Sequence, residues 1–283
     1  MMSMNPSIDI PHLSDRQFSK LSAFIRETVG IFLPETKKTM LESRLLKRLR
    51  ILSFVSFDEY IKYLFDRNGL SDELHYLIDR ATTHKTHFFR EKLHFEILKD
   101  QIMPYWREQG IRRIRVLSAA CSTGEEVYSL AMLFQDEWNL PGETFEVIGF
   151  DVSPAVIDYA EKAVYPYDCI GQIPQKYMQQ YLLKSKEGPP YSIRVTPPLR
   201  RKVSFKCWNI IDKSIPIDDY HLIFCRNMLI YFTREDQVRI ARRLITGLHD
   251  HGFLTLGVSE PMLERGPDVK TFGSTIYQKE IHQ

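Results

Sequence analysis

Three short stretches of this sequence combine residue types that suit chemistry. The first, Ala119-Ala120-Cys121-Ser122-Thr123-Gly124-Glu125-Glu126, is built of small residues and ends in two acids where a helical pattern starts. Small side chains let a ligand approach the backbone, but a pyrophosphate-binding turn would carry more glycines and no carboxylates at the helix start. A plain use for both acids is to complement the helix dipole in its first turn. The second stretch, Ile148-Gly149-Phe150-Asp151, sets an acid at a strand end. Lying roughly 20 to 30 residues past the small-residue loop, such an acid can accept both hydroxyls of a ribose. Its competing use is as N-cap of the helix opening at Pro154, a role for which Ser153 is also suited. The third stretch, residues 224–232, places Arg226 and Asn227 where a strand ends and closes an apolar run with Tyr231. The loop's one glycine and two glutamates favour a nucleoside that carries positive charge and no phosphate, a description that S-adenosylmethionine meets.

These stretches need elements to position them. Residues 14–80 read as helical throughout, with Phe18, Leu21, Phe24 and Ile25, then Leu41, Leu45, Leu49 and Leu52, at helical spacings. Ser14 with Gln17 and Ser56 with Glu59 have the pattern of capping boxes, and Ser71 opens a further helix ending near Arg80. Nothing there reads as a strand, so residues 14–80 form an all-helical domain, followed by an interdomain segment, 81–107, of mixed character. From residue 108 to 283 the pattern alternates. Strands are expected at 113–119, 146–150, 220–225 and 253–258, and helices at 125–138, from Pro154 onward and at 234–248, with His251-Gly252 as a turn. Such alternation specifies an α/β fold with a parallel sheet covered on both faces. Residues 171–205, rich in proline and holding β-prone pieces, read as a small inserted β subdomain.

Composition narrows the classes. With 43% hydrophobic and 26% charged residues over 283, a disordered or collagenous chain is excluded. The 38 basic and 36 acidic residues leave a net charge of +2, so no molecule-wide field steers it to nucleic acid or membranes. Four separated cysteines make no Cys-x-x-Cys pair, and reduced thiols in a cytoplasm are expected. Residues 1–13 lack the pattern of a signal peptide, and no run approaches the roughly 18 apolar residues of a membrane span. His84, His87 and His94 fall within eleven positions but lack a completing ligand, so no metal is expected and they are read as ordinary surface and helix histidines.

Thr86-His87-Phe88-Phe89-Arg90, the loop 118–126, Phe150-Asp151-Val152-Ser153 and residues 224–232 together resemble the signature of the chemotaxis receptor methyltransferases, the CheR family. The resemblance runs from about residue 14 to 277. It implies a Rossmann-like S-adenosylmethionine-dependent methyltransferase domain with a small antiparallel β insertion, preceded by an all-helical receptor-docking domain. The activity implied is methyl transfer from S-adenosyl-L-methionine to glutamate side chains in the cytoplasmic methylation region of membrane chemoreceptors, yielding S-adenosyl-L-homocysteine.

Residue by residue, the resemblance implies that Thr86 and Arg90 hold the methionine part of the cofactor, Glu126 its amino group and Asp151 its ribose. Asn209, Ile210, Arg226 and Asn227 would line the adenine and the methyl-transfer face, with Tyr231 beside the acceptor glutamate and Arg90 adding positioning charge. His84 stands where the family usually carries Asn. The segment 37–50 has six basic residues against one acid, Glu42, and its Arg44, Lys47 and Arg48 should form a solvated face opposite Leu41, Leu45 and Leu49. By resemblance this face, with Arg44 and Arg50 foremost, grips the acidic receptor region. The alternatives are a catalytically silent cofactor sensor and an RNA methyltransferase, the latter disfavoured by the missing Asn/Asp-Pro-Pro-aromatic motif. Nucleic acid and membrane insertion are not expected, and a monomer is the default.

Overall fold

Ser14 starts the first helix by a reciprocal cap: its hydroxyl accepts the Gln17 N–H while the Gln17 side chain accepts the Ser14 N–H. The computed structural model describes residues 11–82, 85–186, 188–264, 266, 268–273 and 275–280. The chain divides into two units, Met1–Thr83 and His84–Gln283. The first holds α1 (Asp15–Val29), α2 (Lys38–Ile51), α3 (Phe57–Asp66) and α4 (Leu70–Ala81). Leu41, Leu45 and Leu49 recur every four residues and turn one stripe of α2 into a core shared with Leu21, Tyr60, Leu64 and Leu77. Gly30 closes α1 in the left-handed conformation at φ 78°. No strand forms among the described residues of this unit. Helix α4 begins one residue before Ser71, with Gly69 rather than Ser71 at its N-cap.

In the second unit, α5 (Lys92–Ile97) and α6 (Met103–Glu108) are joined by a π-helical stretch, Leu98–Ile102. Then follow β1 (Arg113–Ala119), α7 (Glu125–Glu137), β2 (Thr144–Asp151) and α8 (Pro154–Lys162). The next elements are β3 (Val164–Pro166), α9 (Gln175–Tyr181), β4 (Leu182–Lys184), β5 (Ser192–Val195) and α10 (Pro197–Arg200). Last come β6 (Val203–Cys207), β7 (Tyr220–Cys225), α11 (Arg234–Thr246), β8 (Leu248–Leu256), β9 (Val269–Gly273) and β10 (Ile276–Lys279).

The large sheet has the order β6-β2-β1-β7-β8-β10-β9. Its strands from β6 to β8 run parallel, and β10 is antiparallel to both neighbours. Side chains alternate across it: Val116, Leu222 and Phe253 enter one core, Leu117, Ile223 and Leu254 the other. All six residues of β7 are buried, and apart from His221 they are apolar or aromatic, as a strand covered on both faces requires. From β1 the chain builds outward through β2 to β6 on one side and through β7 to β8 on the other. The switch point therefore lies beyond the carboxyl ends of β1 and β7, where ligands of open α/β sheets bind.

Two boundaries differ from the sequence reading. The small antiparallel sheet, β3-β5-β4, starts at Val164 rather than within 171–205, because Tyr165 pairs with Ile193. Val203–Cys207, whose start fell within that range, joins the large sheet beside β2. Similarly, His251-Gly252 is no turn before a strand. Strand β8 runs through it, its register against β7 shifting between Tyr220 and Leu222, where Leu248 and Phe253 are the partners.

Candidate active site

The turn leaving β1 is held in a backbone shape that side chains resist. Ala120, Ser122 and Gly124 have φ of 57°, 49° and 92°. At Gly124 a Cβ would lie 2.8 Å from the Ala160 Cβ, so this position requires glycine. The Cys121 N–H donates to the Phe150 carbonyl, and the Ser122 N–H to Asp151 Oδ2 at 2.9 Å, which binds this loop to the end of β2. Asp151 Oδ1 accepts the Ser153 N–H at 3.1 Å. Ser153 itself caps α8 by accepting the Val156 N–H, so Asp151 is not the N-cap. The Trp208 N–H donates to the Asp151 carbonyl, bringing the segment after β6 against the same strand end.

The two acids of the loop have different fates. Glu125 accepts a hydrogen bond from Thr123 Oγ1, and burial pushes its carboxyl above the usual range. Glu126 reaches across the switch point. Its Oε1 accepts from Ser118 Oγ at 2.7 Å, and its Oε2 accepts from Arg226 Nε at 2.8 Å and pairs with Nη2 at 2.7 Å. Arg226 is buried, its guanidinium over the Phe224 and Phe95 rings at 4.9 and 5.5 Å. Its Nη1 donates to the Arg90 carbonyl at 2.6 Å and lies 3.3 Å from His94 Nδ1 and 3.6 Å from Glu91 Oε2. His94 Nδ1 lies between this guanidinium and Glu91 Oε2, 3.4 Å away, and its Nε2 is 3.2 Å from Thr275 Oγ1. One guanidinium thus stands between two carboxylates, Glu126 and Glu91.

Asn227 follows at φ 58°, its side chain 3.4 Å from Glu91 Oε1. Glu260, buried beyond β8, accepts the backbone N–H groups of Asn227, Ile230 and Gly257. Burial raises the Glu260 carboxyl despite these bonds. Tyr231 ends the 3-10 turn Leu229–Tyr231, half-buried against the second core. The segment from Lys85 to Glu91 reaches α7 through the Phe89 N–H, which donates to Ser129 Oγ at 2.9 Å.

The structure gathers Glu126, Arg226 and Asn227 into one network and joins Asp151 to the same loop. Arg90 contributes its carbonyl to Arg226, while its guanidinium donates to the Lys85 carbonyl. Thr86 is half-buried on that segment. Asn209 accepts the Ile211 N–H, and the buried Ile210 offers its carbonyl to Arg243. His84 lies outside the described residues. His94 is no surface histidine but the buried partner of Arg226, and among the described residues no three His, Cys, Asp or Glu form a metal cluster.

On α2 the expected solvated face is corrected. Arg48 forks onto buried Glu73 at 2.9 and 2.6 Å and lies 3.5 Å from the Tyr76 ring centre, and Tyr60 donates to the same carboxylate. Arg44 donates to the Arg80 and Thr82 carbonyls at the end of α4. Lys47 and Arg50 remain exposed.

Sequence reasoning gave no site role to Ser118, Glu91, His94 or Glu260, although it weighed His94 as a metal ligand. Glu260 was within reach, since it follows the end of a parallel strand, the position that pointed to Asp151 and Arg226.

Comparison with known proteins returns two family matches: CheR methyltransferase, all-alpha domain, over residues 16–82, and CheR methyltransferase, SAM binding domain, over residues 84–278. The chemotaxis protein methyltransferase of Escherichia coli is 34% identical over 268 residues, covering 94% of this chain and 91% of that protein. That of Borreliella burgdorferi is 33% identical, covering 88% and 89%. Chemotaxis protein methyltransferase 2 of Pseudomonas aeruginosa is 32% identical, covering 94% of each.

Proposed function

Because this chain belongs to the CheR methyltransferase family, we propose that it moves methyl groups from S-adenosylmethionine onto glutamate side chains in the cytoplasmic methylation region of membrane chemoreceptors. The observation that carries this reading is the charge balance at the switch point. Glu126 and Glu91 share one buried cation, Arg226, and Asp151 adds a further carboxylate bound to the backbone of the small-residue loop. That donor set repels a phosphate and suits a nucleoside bearing an ammonium and a sulfonium. The residues present therefore fit the cofactor that the family uses.

In this reading Glu126 binds the cofactor's amino group, Asp151 its ribose hydroxyls, Thr86 and Arg90 its methionine portion, and Asn209, Ile210, Arg226 and Asn227 its adenine and transfer face. S-adenosylmethionine supplies an electrophilic methyl when bound. The acceptor carboxylate, with a free pKa near 4.3, is ionised at pH 7 and needs no general base. What remains for the chain is alignment and exclusion of water. Tyr231 positions the acceptor by a hydrogen bond, and exposed Lys47 and Arg50 of α2 supply charge toward an acidic receptor surface. Among the described residues no helix is long and apolar enough to cross a membrane, so the receptor brings the reaction to the membrane.

Incubation with methyl-labelled S-adenosylmethionine and receptor-containing membranes should give protein-bound label that leaves as methanol in mild base. Base-resistant label would mean nitrogen methylation and overturn the acceptor chemistry. Cofactor binding without any label would favour a silent sensor. Replacing Tyr231 by Phe should cost rate modestly with cofactor affinity unchanged, and a full rate in that variant would remove Tyr231 from the acceptor site.

A further inference from the structure

We propose that Glu260 is a positioning residue for the acceptor side of the site, fixing the turn that carries Tyr231. Three observations converge on it. Its side chain is buried beyond the end of β8, yet no cation among the described residues forms an ion pair with it. Backbone amides hold it instead, and they come from two elements: Oε1 accepts the Ile230 N–H at 3.0 Å, and Oε2 accepts those of Gly257, at 3.2 Å, and Asn227. These anchors bracket Met228 and Leu229 and end one residue before Tyr231. Second, Asn227 turns the chain sharply in the left-handed region, which asparagine tolerates, and the amide that Glu260 holds is the one at this bend. Third, the approach of the carboxylate is built into the sequence. At Gly257 a Cβ would lie 2.4 Å from Glu260 Oε2 and 3.0 Å from the Asn227 nitrogen, so only glycine admits this arrangement.

The cofactor side has its own anchor, since the Arg226 guanidinium is held by Glu126. Loss of Glu260 should therefore loosen the turn and, releasing Asn227 but not Arg226, Glu126 or Asp151, weaken cofactor binding far less than it lowers kcat. The inference rests on the assignment of Tyr231 to the acceptor, and its test separates the two.

In full-length protein, Glu260→Gln keeps the size of the side chain but turns an amide donor toward N–H donors. Its kcat for receptor methylation should fall about tenfold to a hundredfold, as for an angstrom-scale misplacement. S-adenosylhomocysteine affinity by calorimetry should stay within about threefold. Hydrogen exchange of residues 227–231, followed in the S-adenosylhomocysteine complex, should quicken whatever the acceptor proves to be. Glu260→Asp, which keeps two acceptor oxygens one methylene short, should fall between wild type and Gln. Unchanged exchange and unchanged kcat overturn the inference, as does a loss of cofactor affinity equal to the loss in kcat. Failure of both variants to fold overturns it too, by making Glu260 a requirement of the core. Wild-type protein that methylates no glutamate removes the acceptor assignment alone, and the exchange measurement still decides the anchor.

Discussion

Asp151, to which we assign the cofactor's ribose, is also a structural carboxylate. Two of its lone pairs are taken by the Ser122 and Ser153 amides, which fixes its direction. In Asp151→Asn one oxygen can still accept an amide while the new NH2 group opposes the other. Cofactor affinity should weaken by about tenfold or more, some 1.4 kcal/mol, with a smaller change in unfolding temperature; calorimetric titration with S-adenosylhomocysteine measures it. A variant binding as tightly as wild type would take Asp151 out of the cofactor site. At this scale the sequence displayed the residues at strand ends but not their partners. The Glu126–Arg226 contact joins residues 100 positions apart, and Glu91 and His94 meet Arg226 across more than 130. No local pattern carries such pairings, because they arise only when the strands are laid side by side.

Helix α2 shows what periodicity can and cannot tell. The Leu41, Leu45 and Leu49 stripe was legible, since burial follows the helical repeat. The direction taken by Arg48, at the flank of that stripe, depended on Glu73 arriving from α4. Breaking a buried pair leaves the other charge uncompensated, so Arg48→Ala should destabilise the helical unit by about 3 to 5 kcal/mol. Exposed Lys47→Ala should stay within about 0.5 kcal/mol. Denaturant titration of both variants checks this, and equal stability would return Arg48 to the solvated face. The irregular start of β8 has a consequence of its own. There His249 stacks on His221 at 4.3 Å, and burial, then the His249 charge, push His221 down to about 4. Arg115 and His251 press the same way and Asp219 opposes. A histidine depressed below its unfolded value near 6.5 folds best when neutral, so the unfolded chain binds more protons between these values. Stability is full above about pH 6.5 and falls as pH drops toward 4, by about 2 kcal/mol between pH 7 and pH 5. In His221→Gln this part of the pH dependence should vanish, and an unchanged slope in denaturant titrations at the two pH values would refute the assignment.

For the whole molecule, alternation of strands and helices was enough to give a parallel α/β sheet after a helical domain, because both patterns are set by local periodicity. The order β6-β2-β1-β7-β8-β10-β9, with its reversed last strands, depended on pairings that no single segment encodes. Net charge is a molecule-wide quantity too, and its small value of +2 makes a specific demand on the receptor docking proposed above. With no global field to draw an acidic partner, any electrostatic help must come from local charges such as Lys47 and Arg50, since Arg48 is spent on Glu73. Salt screens exposed charges over about 8 to 10 Å but affects buried pairs much less. Raising salt from about 50 to about 200 mM should therefore raise the KM for receptor several-fold and leave the affinity for S-adenosylhomocysteine nearly constant. Replacing Lys47 and Arg50 together by Glu should raise KM at low salt and flatten its salt dependence, without lowering kcat at saturating receptor. If the double variant keeps the wild-type salt response, the exposed face of α2 does not carry docking, and the receptor must be held elsewhere on the chain.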